Sequence, residues 1–221
     1  MPTVTLVHAV LPALAPMQEA LVAAIADVRV RHLLDEGLAS EAERRGGVDR
    51  ACIERMLTLL GLVVEAQTDA VLLTCTAYST MLDEARARFP GTPFFAVDQV
   101  MVETAVARAT RIGVLATFEP GLEAQRELLM REARARGKTI EIVPSLHPLA
   151  MAALRRGDAT EHDRIVLDAL PALAGDTDLV LFAQASMARA AGAVPAPYRE
   201  RVLSSPHLAA AALRDLFGAS P

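Results

Sequence analysis

Cys75 stands where a thiol can act. It follows the apolar run 70–74 and precedes Thr76 and Ser79, the pattern of a strand running into a helix. N–H groups left free at such a turn, with the positive end of the helix, lower a thiol pKa from about 8.5 and favour the thiolate. A thiolate there removes a proton from a carbon acid or adds to an unsaturated carbon. The opposing reading is a buried cysteine packed as a small hydrophobe, and the polar neighbours speak against it. Cys52 lies among helically spaced Met56, Leu59, Leu60 and Val63, so packing is expected of it.

The other candidates come from a repeat. Asp69-Ala-Val-Leu-Leu-Thr-Cys75 lines up with Asp178-Leu-Val-Leu-Phe-Ala-Gln184, 109 residues on. The same offset relates His8 to Thr117, each closing an apolar run, and Phe94-Phe-Ala-Val-Asp98 matches Val202-Leu-Ser-Ser-Pro206 at nearly that offset. Parallel strands resemble one another singly, but a shared offset predicts two half-domains about a pseudo-two-fold axis. Ligands of open α/β sheets sit beyond the carboxyl ends of the strands. The cleft is therefore expected to be lined by His8, Cys75, Thr76, Ala77, Asp98, Thr117, Gln184, Ala185 and Ser186. Thr76-Ala77 and Ala185-Ser186 open the segments after the matching strands and offer N–H groups and hydroxyls to a carboxylate. Thr117 contacts ligand or caps a helix whose first turn holds Pro120. Asp98 sits on the cleft rim or caps the next helix. His8 titrates, donates or only supports structure. The remaining histidines, His162 in a charged run among them, have no metal-ligand spacing, and no metal is expected.

Placing these residues takes eight short strand candidates at 4–9, 28–33, 70–74, 94–97, 112–116, 140–143, 179–182 and 201–203. Several are apolar throughout, as parallel strands covered on both faces are. Helical periodicity fills 49–66, 121–136 and 163–173. Strand and helix in alternation predict an α/β fold, here two pseudo-symmetric parallel-sheet halves with the site between them. The first half is expected over 1–97, with helix 98–108 and the C-terminal segment crossing between halves. The second covers 111–200, and 201–221 forms a terminal strand and helix, whose stretch 208–213 packs on its own sheet or forms an interface.

Composition removes several function classes. Net charge −5 argues against a phosphate-tracking surface, so no nucleic acid is expected. No run spans a bilayer, and no basic region precedes an apolar one at the N-terminus, so neither membrane nor signal peptide is expected. Two distant cysteines suit the reducing cytoplasm. No strand leads into a glycine-rich phosphate loop. The single lysine, Lys138, falls in a solvated turn, unsuited to the Schiff base of a pyridoxal enzyme.

These segments together resemble the aspartate/glutamate racemase superfamily, with its hydantoin racemases, maleate isomerases and arylmalonate decarboxylases. The resemblance rests on Leu73-Thr-Cys75-Thr-Ala-Tyr78, Arg111-Ile-Gly-Val-Leu-Ala-Thr117, Asp178-Leu-Val-Leu-Phe-Ala-Gln184-Ala-Ser-Met187 and Ser205-Pro206, in order along nearly the whole chain. It implies an enzyme without cofactor, a homo-oligomer, and a substrate that is a small carboxylic acid. It further implies Cys75 as proton donor and acceptor, with Thr76, Ala77 and Thr117 holding the carboxylate. Gln184 departs from the pattern, standing where such racemases carry a second cysteine. An amide is no base near neutral pH, though it donates and accepts hydrogen bonds. The expectation is a racemase- or isomerase-like enzyme, His8, Tyr78 or a water then supplying the second proton. A one-thiol decarboxylase of a malonate-like acid and a non-catalytic carboxylate-binding module stand as alternatives. Two tyrosines and no tryptophan favour a small aliphatic acid.

Overall fold

The computed structural model describes residues 1–218, and eight strands form where the apolar runs predict them. They alternate with helices in the order β1 (Thr3–His8), α1 (Leu14–Ala24), β2 (Arg29–Leu34), α2 (Gly37–Arg45), α3 (Arg50–Glu65), β3 (Ala70–Leu73), α4 (Leu82–Arg88), β4 (Phe94–Ala96) and α5 (Gln99–Arg108). The second half runs β5 (Arg111–Ala116), α6 (Glu119–Ala135), β6 (Glu141–Leu146), α7 (Pro148–Arg155), α8 (Ala159–Gly175), β7 (Leu179–Phe182), α9 (Ala188–Ala191), β8 (Val202–Ser204) and α10 (Ser205–Gly218). Each half is a four-stranded sheet, ordered β2-β1-β3-β4 and β6-β5-β7-β8, with every pairing parallel. The inner strands β3 and β7 are buried at all four positions. The edge strands β2 and β6 are partly exposed, which is why they tolerate Arg29, Arg31 and Glu141.

The repeated sequence signals have structural causes. Asp69 accepts from the Thr3 N–H at 2.7 Å, and Asp178 accepts from the N–H groups of Thr110 and Arg111 at 3.1 and 2.8 Å. Each aspartate thereby fastens the start of one inner strand to its neighbour. Asp49 caps α3 through the Cys52 N–H, and Asp158 caps α8 through the Glu161 N–H, both at 3.0 Å. Lys138 is exposed, and its Nζ donates to the carbonyls of Val106 and Ala107, closing the last turn of α5.

The halves exchange a helix. α5 leaves the first sheet, and its Met101, Val102, Ala105 and Val106 are buried with Ile112 and Val114 of the second. α10 leaves the second sheet and buries Ala209, Ala210 and Leu213 among Val4, Leu6 and Met17 of the first. Segment 201–221 is thus divided: β8 is an edge of the second sheet, α10 covers the first, and 219–221 lie outside the described residues. The buried residues of stretch 208–213 pack within the chain, on its own fold. Among the described residues no helix is long and apolar enough to cross a membrane.

Candidate active site

Strands β3 and β7 end at equivalent points, and the chain stays extended for two further residues. Cys75 (φ −105°, ψ 109°) and Gln184 (φ −123°, ψ 145°) each precede a tight 3-10 turn, Thr76–Met81 and Ala185–Met187. Their side chains line one cavity of about 30 Å³ with Thr76, Ala77, Ala185 and Ser186. That volume suits a water and no carboxylic acid, so the site is closed in this conformation. The Thr76 hydroxyl donates to the Ala183 carbonyl at 2.8 Å and joins the halves at the cavity floor.

Burial opposes the expected lowering of the thiol pKa. Cys75 keeps partial exposure, yet burial pushes the thiol from an ordinary 9.0 up to about 11. The backbone N–H groups of Ala77 and Tyr78 offset part of this, and the nearby Asp98 carboxylate adds to it. A short 3-10 turn replaces the expected helix start, so few aligned peptide dipoles face the sulfur. A thiol with its pKa near 11 favours the S–H form at neutral pH.

Gln184 is held by Thr117, whose N–H and hydroxyl reach Oε1 at 2.8 and 3.2 Å. Thr117 does not cap α6; Phe118 takes that position without a side-chain bond, and Pro120 lies in the first turn as its sequence suggests. Gly121 was missed from sequence, although Pro120-Gly121 at a helix start was a signal for close approach. A Cβ there would stand 2.8 Å from Gln184 Nε2.

His8 sits elsewhere because of register. The Asp35 N–H bonds the His8 carbonyl at 3.1 Å, and the His147 N–H bonds the Ala116 carbonyl at 2.7 Å, which makes Ala116 the counterpart of His8. Thr117 then corresponds to Ala9, one residue off the sequence match. In a strand one residue reverses the side chain's face. His8 is fully buried and absent from the walls around Cys75. Its Nε2 lies 3.0 Å from His32 Nδ1, its Nδ1 lies 2.9 Å from Thr74 Oγ1, and His32 Nε2 reaches Gln18 Oε1 at 2.9 Å. Burial, then His32, lowers its pKa to about 4, so the ring is neutral at pH 7.

Two further residues are reassigned by their surroundings. Tyr78 is buried and donates to the Leu38 carbonyl at 2.9 Å, and burial raises its pKa. Asp98 lines a separate pocket of about 140 Å³ with Ser79 and neither rims the Cys75 cavity nor caps α5 with its side chain. Burial raises its carboxyl to about 6, the Ser79 and Thr76 hydroxyls giving partial relief without a bond of normal geometry. His162, in its charged run, is nevertheless fully buried, with Nδ1 2.8 Å from Asp163.

Outside the cavity runs a groove of about 910 Å³ between α2, α6 and α7. Ala77, Phe118 and Met151 line both spaces and stand between them. The groove carries four glutamates and four arginines, so its lining does not select ligands by net charge. Arg155 of α7 pairs with Glu43 of α2 at 2.9 Å, across its mouth. Phe118 and Met151 gave no sequence signal, being apolar residues like any in the core. Among the described residues no cluster of His, Cys, Asp or Glu could hold a metal ion.

No protein-family model matches the chain, and no curated protein does. Solved structures do. Allantoin racemase from Klebsiella pneumoniae is 15% identical with a TM-score of 0.67, over 99% of this chain and 88% of that one. Glutamate racemase from Francisella tularensis, solved with D-glutamate, is 11% identical at 0.75, over 98% and 81%. Aspartate racemase from Picrophilus torridus is 14% identical at 0.68, over 99% and 95%. The chain shares their fold, and at these identities the likeness establishes the fold alone.

Proposed function

We propose that the chain is a member of the aspartate/glutamate racemase superfamily that works on a small carboxylic acid from one face, with Cys75 as proton carrier and no cofactor. The observation that carries the reading is that a thiol and a carboxamide, those of Cys75 and Gln184, line one cavity. A two-base racemase needs a group that titrates on each side, and an amide does not.

The neutral thiol weights the net reaction toward the lyase alternative. Racemisation begins with a base, whereas a thiol near 11 begins as an acid. In decarboxylation of a malonate-like acid, the bond from the α-carbon to one carboxyl group breaks and carbon dioxide leaves. The electron pair stays on the substrate as an enediolate, and the Cys75 S–H proton passes to the α-carbon. The thiolate left behind takes a proton from solvent. Backbone N–H groups and the Gln184 amide stabilise the enediolate oxygens, a contribution that is usually the largest in such catalysis.

The test is proton NMR in D₂O with pooled small carboxylic acids, comparing the parent with Cys75→Ser. Turnover or deuterium entry that needs the thiol supports the reading, and the product separates lyase from isomerase. Turnover that survives Cys75→Ser would sink it. Bound acids that never react, in parent and variant alike, would make the chain a carboxylate-binding module.

A further inference from the structure

We propose that the pocket at the start of α5 is a second ligand site, which takes the primary ammonium group of a small amine between Asp98 and Ser79. It lies apart from the Cys75 cavity and does not depend on the chemistry proposed there.

The pocket, of about 140 Å³, is walled by the 3-10 turn Thr76–Met81 and by α4, β4, α5 and α6. Asp98 and Ser79 stand in its lining at 0% and 1% exposure. Both carboxylate oxygens and the Ser79 Oγ lack a hydrogen-bond partner among the described residues. A buried carboxylate without a partner is costly, and a cation with hydrogen-bond donors removes that cost. Three open acceptors match the three N–H donors of a primary ammonium group. Leu82, Val102 and Leu128 line the same pocket and suit a short alkyl stem. Among the described residues no cluster of His, Cys, Asp or Glu could hold a metal ion, which favours charge carried on nitrogen.

The other charged groups of the pocket are already engaged. Arg86 and Arg131 reach Asp83 at 3.4 and 3.6 Å, Glu132 pairs with Arg136, and Glu103 accepts from the Gln99 amide at 3.2 Å. Asp98 is the charge left to a ligand. Burial raises its carboxyl to about 6, so proton and amine compete for it. The Asp98 carboxylate also helps to raise the Cys75 thiol, so a cation held on it lowers the thiol and links the pocket to the active site.

Propylammonium chloride is the probe, added to the full chain at constant ionic strength and followed by saturation-transfer NMR of its methyl signal. Saturable transfer is expected at pH 7.5. Affinity should fall about tenfold at pH 5, where roughly one Asp98 in eleven stays ionised. With fold checked by circular dichroism, Asp98→Asn should abolish the transfer and Ser79→Ala should weaken binding several-fold. Tetramethylammonium, which carries charge without N–H groups, and potassium should not compete. Saturating amine should speed alkylation of Cys75 by iodoacetamide in the parent and leave the rate in Asp98→Asn unchanged. The site is overturned by absence of saturable transfer, by parent-like affinity in either folded variant, or by equal competition from tetramethylammonium or potassium. Saturable binding with an unchanged alkylation rate overturns the link to Cys75.

Discussion

A resting thiol is a property that alkylation can read. Packing moves Cys75 from an ordinary 9.0 to about 11, a shift of two pH units. At pH 8 the thiolate fraction then falls from about one in ten to about one in a thousand. Iodoacetamide reacts with the thiolate, so modification of Cys75 should run about 100-fold slower than for an unperturbed thiol, with its inflection near pH 11. The rate is followed by mass spectrometry of the Cys75 peptide; Cys52, buried in α3, serves as the internal unreactive site. Asp98→Asn removes the carboxylate that helps raise the thiol, and should move the inflection down by less than burial moved it up, because burial is the larger cause. An inflection at or below the ordinary value would refute the reasoning. The resting group would then be a thiolate, proton abstraction would come first, and the preference for a lyase over a racemase-type reaction would lose its basis.

Stability should carry two opposed pH dependences. Asp98 is raised from 3.8 to about 6, so its contribution is complete below pH ~4 and is lost as pH rises through ~6. His8 is lowered from 6.5 to about 4, so its contribution is present above pH ~6.5 and is lost as pH falls through ~4. Each is worth at most ~3 kcal/mol, and they nearly cancel in the parent. Urea melts should show Asp98→Asn gaining on the parent from pH 4 to 7, and His8→Gln gaining from pH 6.5 down to 4; flat differences would count against both assignments. Gly121→Ala should drive Gln184 from Thr117, costing ~1–3 kcal/mol by crowding, and unchanged stability in the same melts would contradict the clamp. Arg155→Ala breaks an exposed pair worth under ~1 kcal/mol, yet should speed alkylation of Cys75 at fixed pH if α2 and α7 part when the groove opens.

Much of this was legible in the chain. Burial on both faces leaves the inner parallel strands continuously apolar, and that pattern with the turn residues between runs located the eight strands. The 109-residue repeat paired Cys75 with Gln184, because residues just past equivalent strands inherit equivalent places in space. The repeat failed at His8 and Thr117, since the halves differ by one residue there and only hydrogen-bond register reveals which carbonyls correspond. The thiol's neutrality was hidden for a different reason: a pKa sums desolvation and charge over neighbours such as Asp98 that are remote in sequence. Residue type and spacing thus determined the two sheets, the strand-end turns and the candidates that stand on them. Tertiary packing alone decided that burial raises the Cys75 thiol pKa, that Thr117 donates to Gln184, and that His8 bonds to His32 and Thr74. Those outcomes depend on distances of about 3 Å between segments that meet only when the chain is folded.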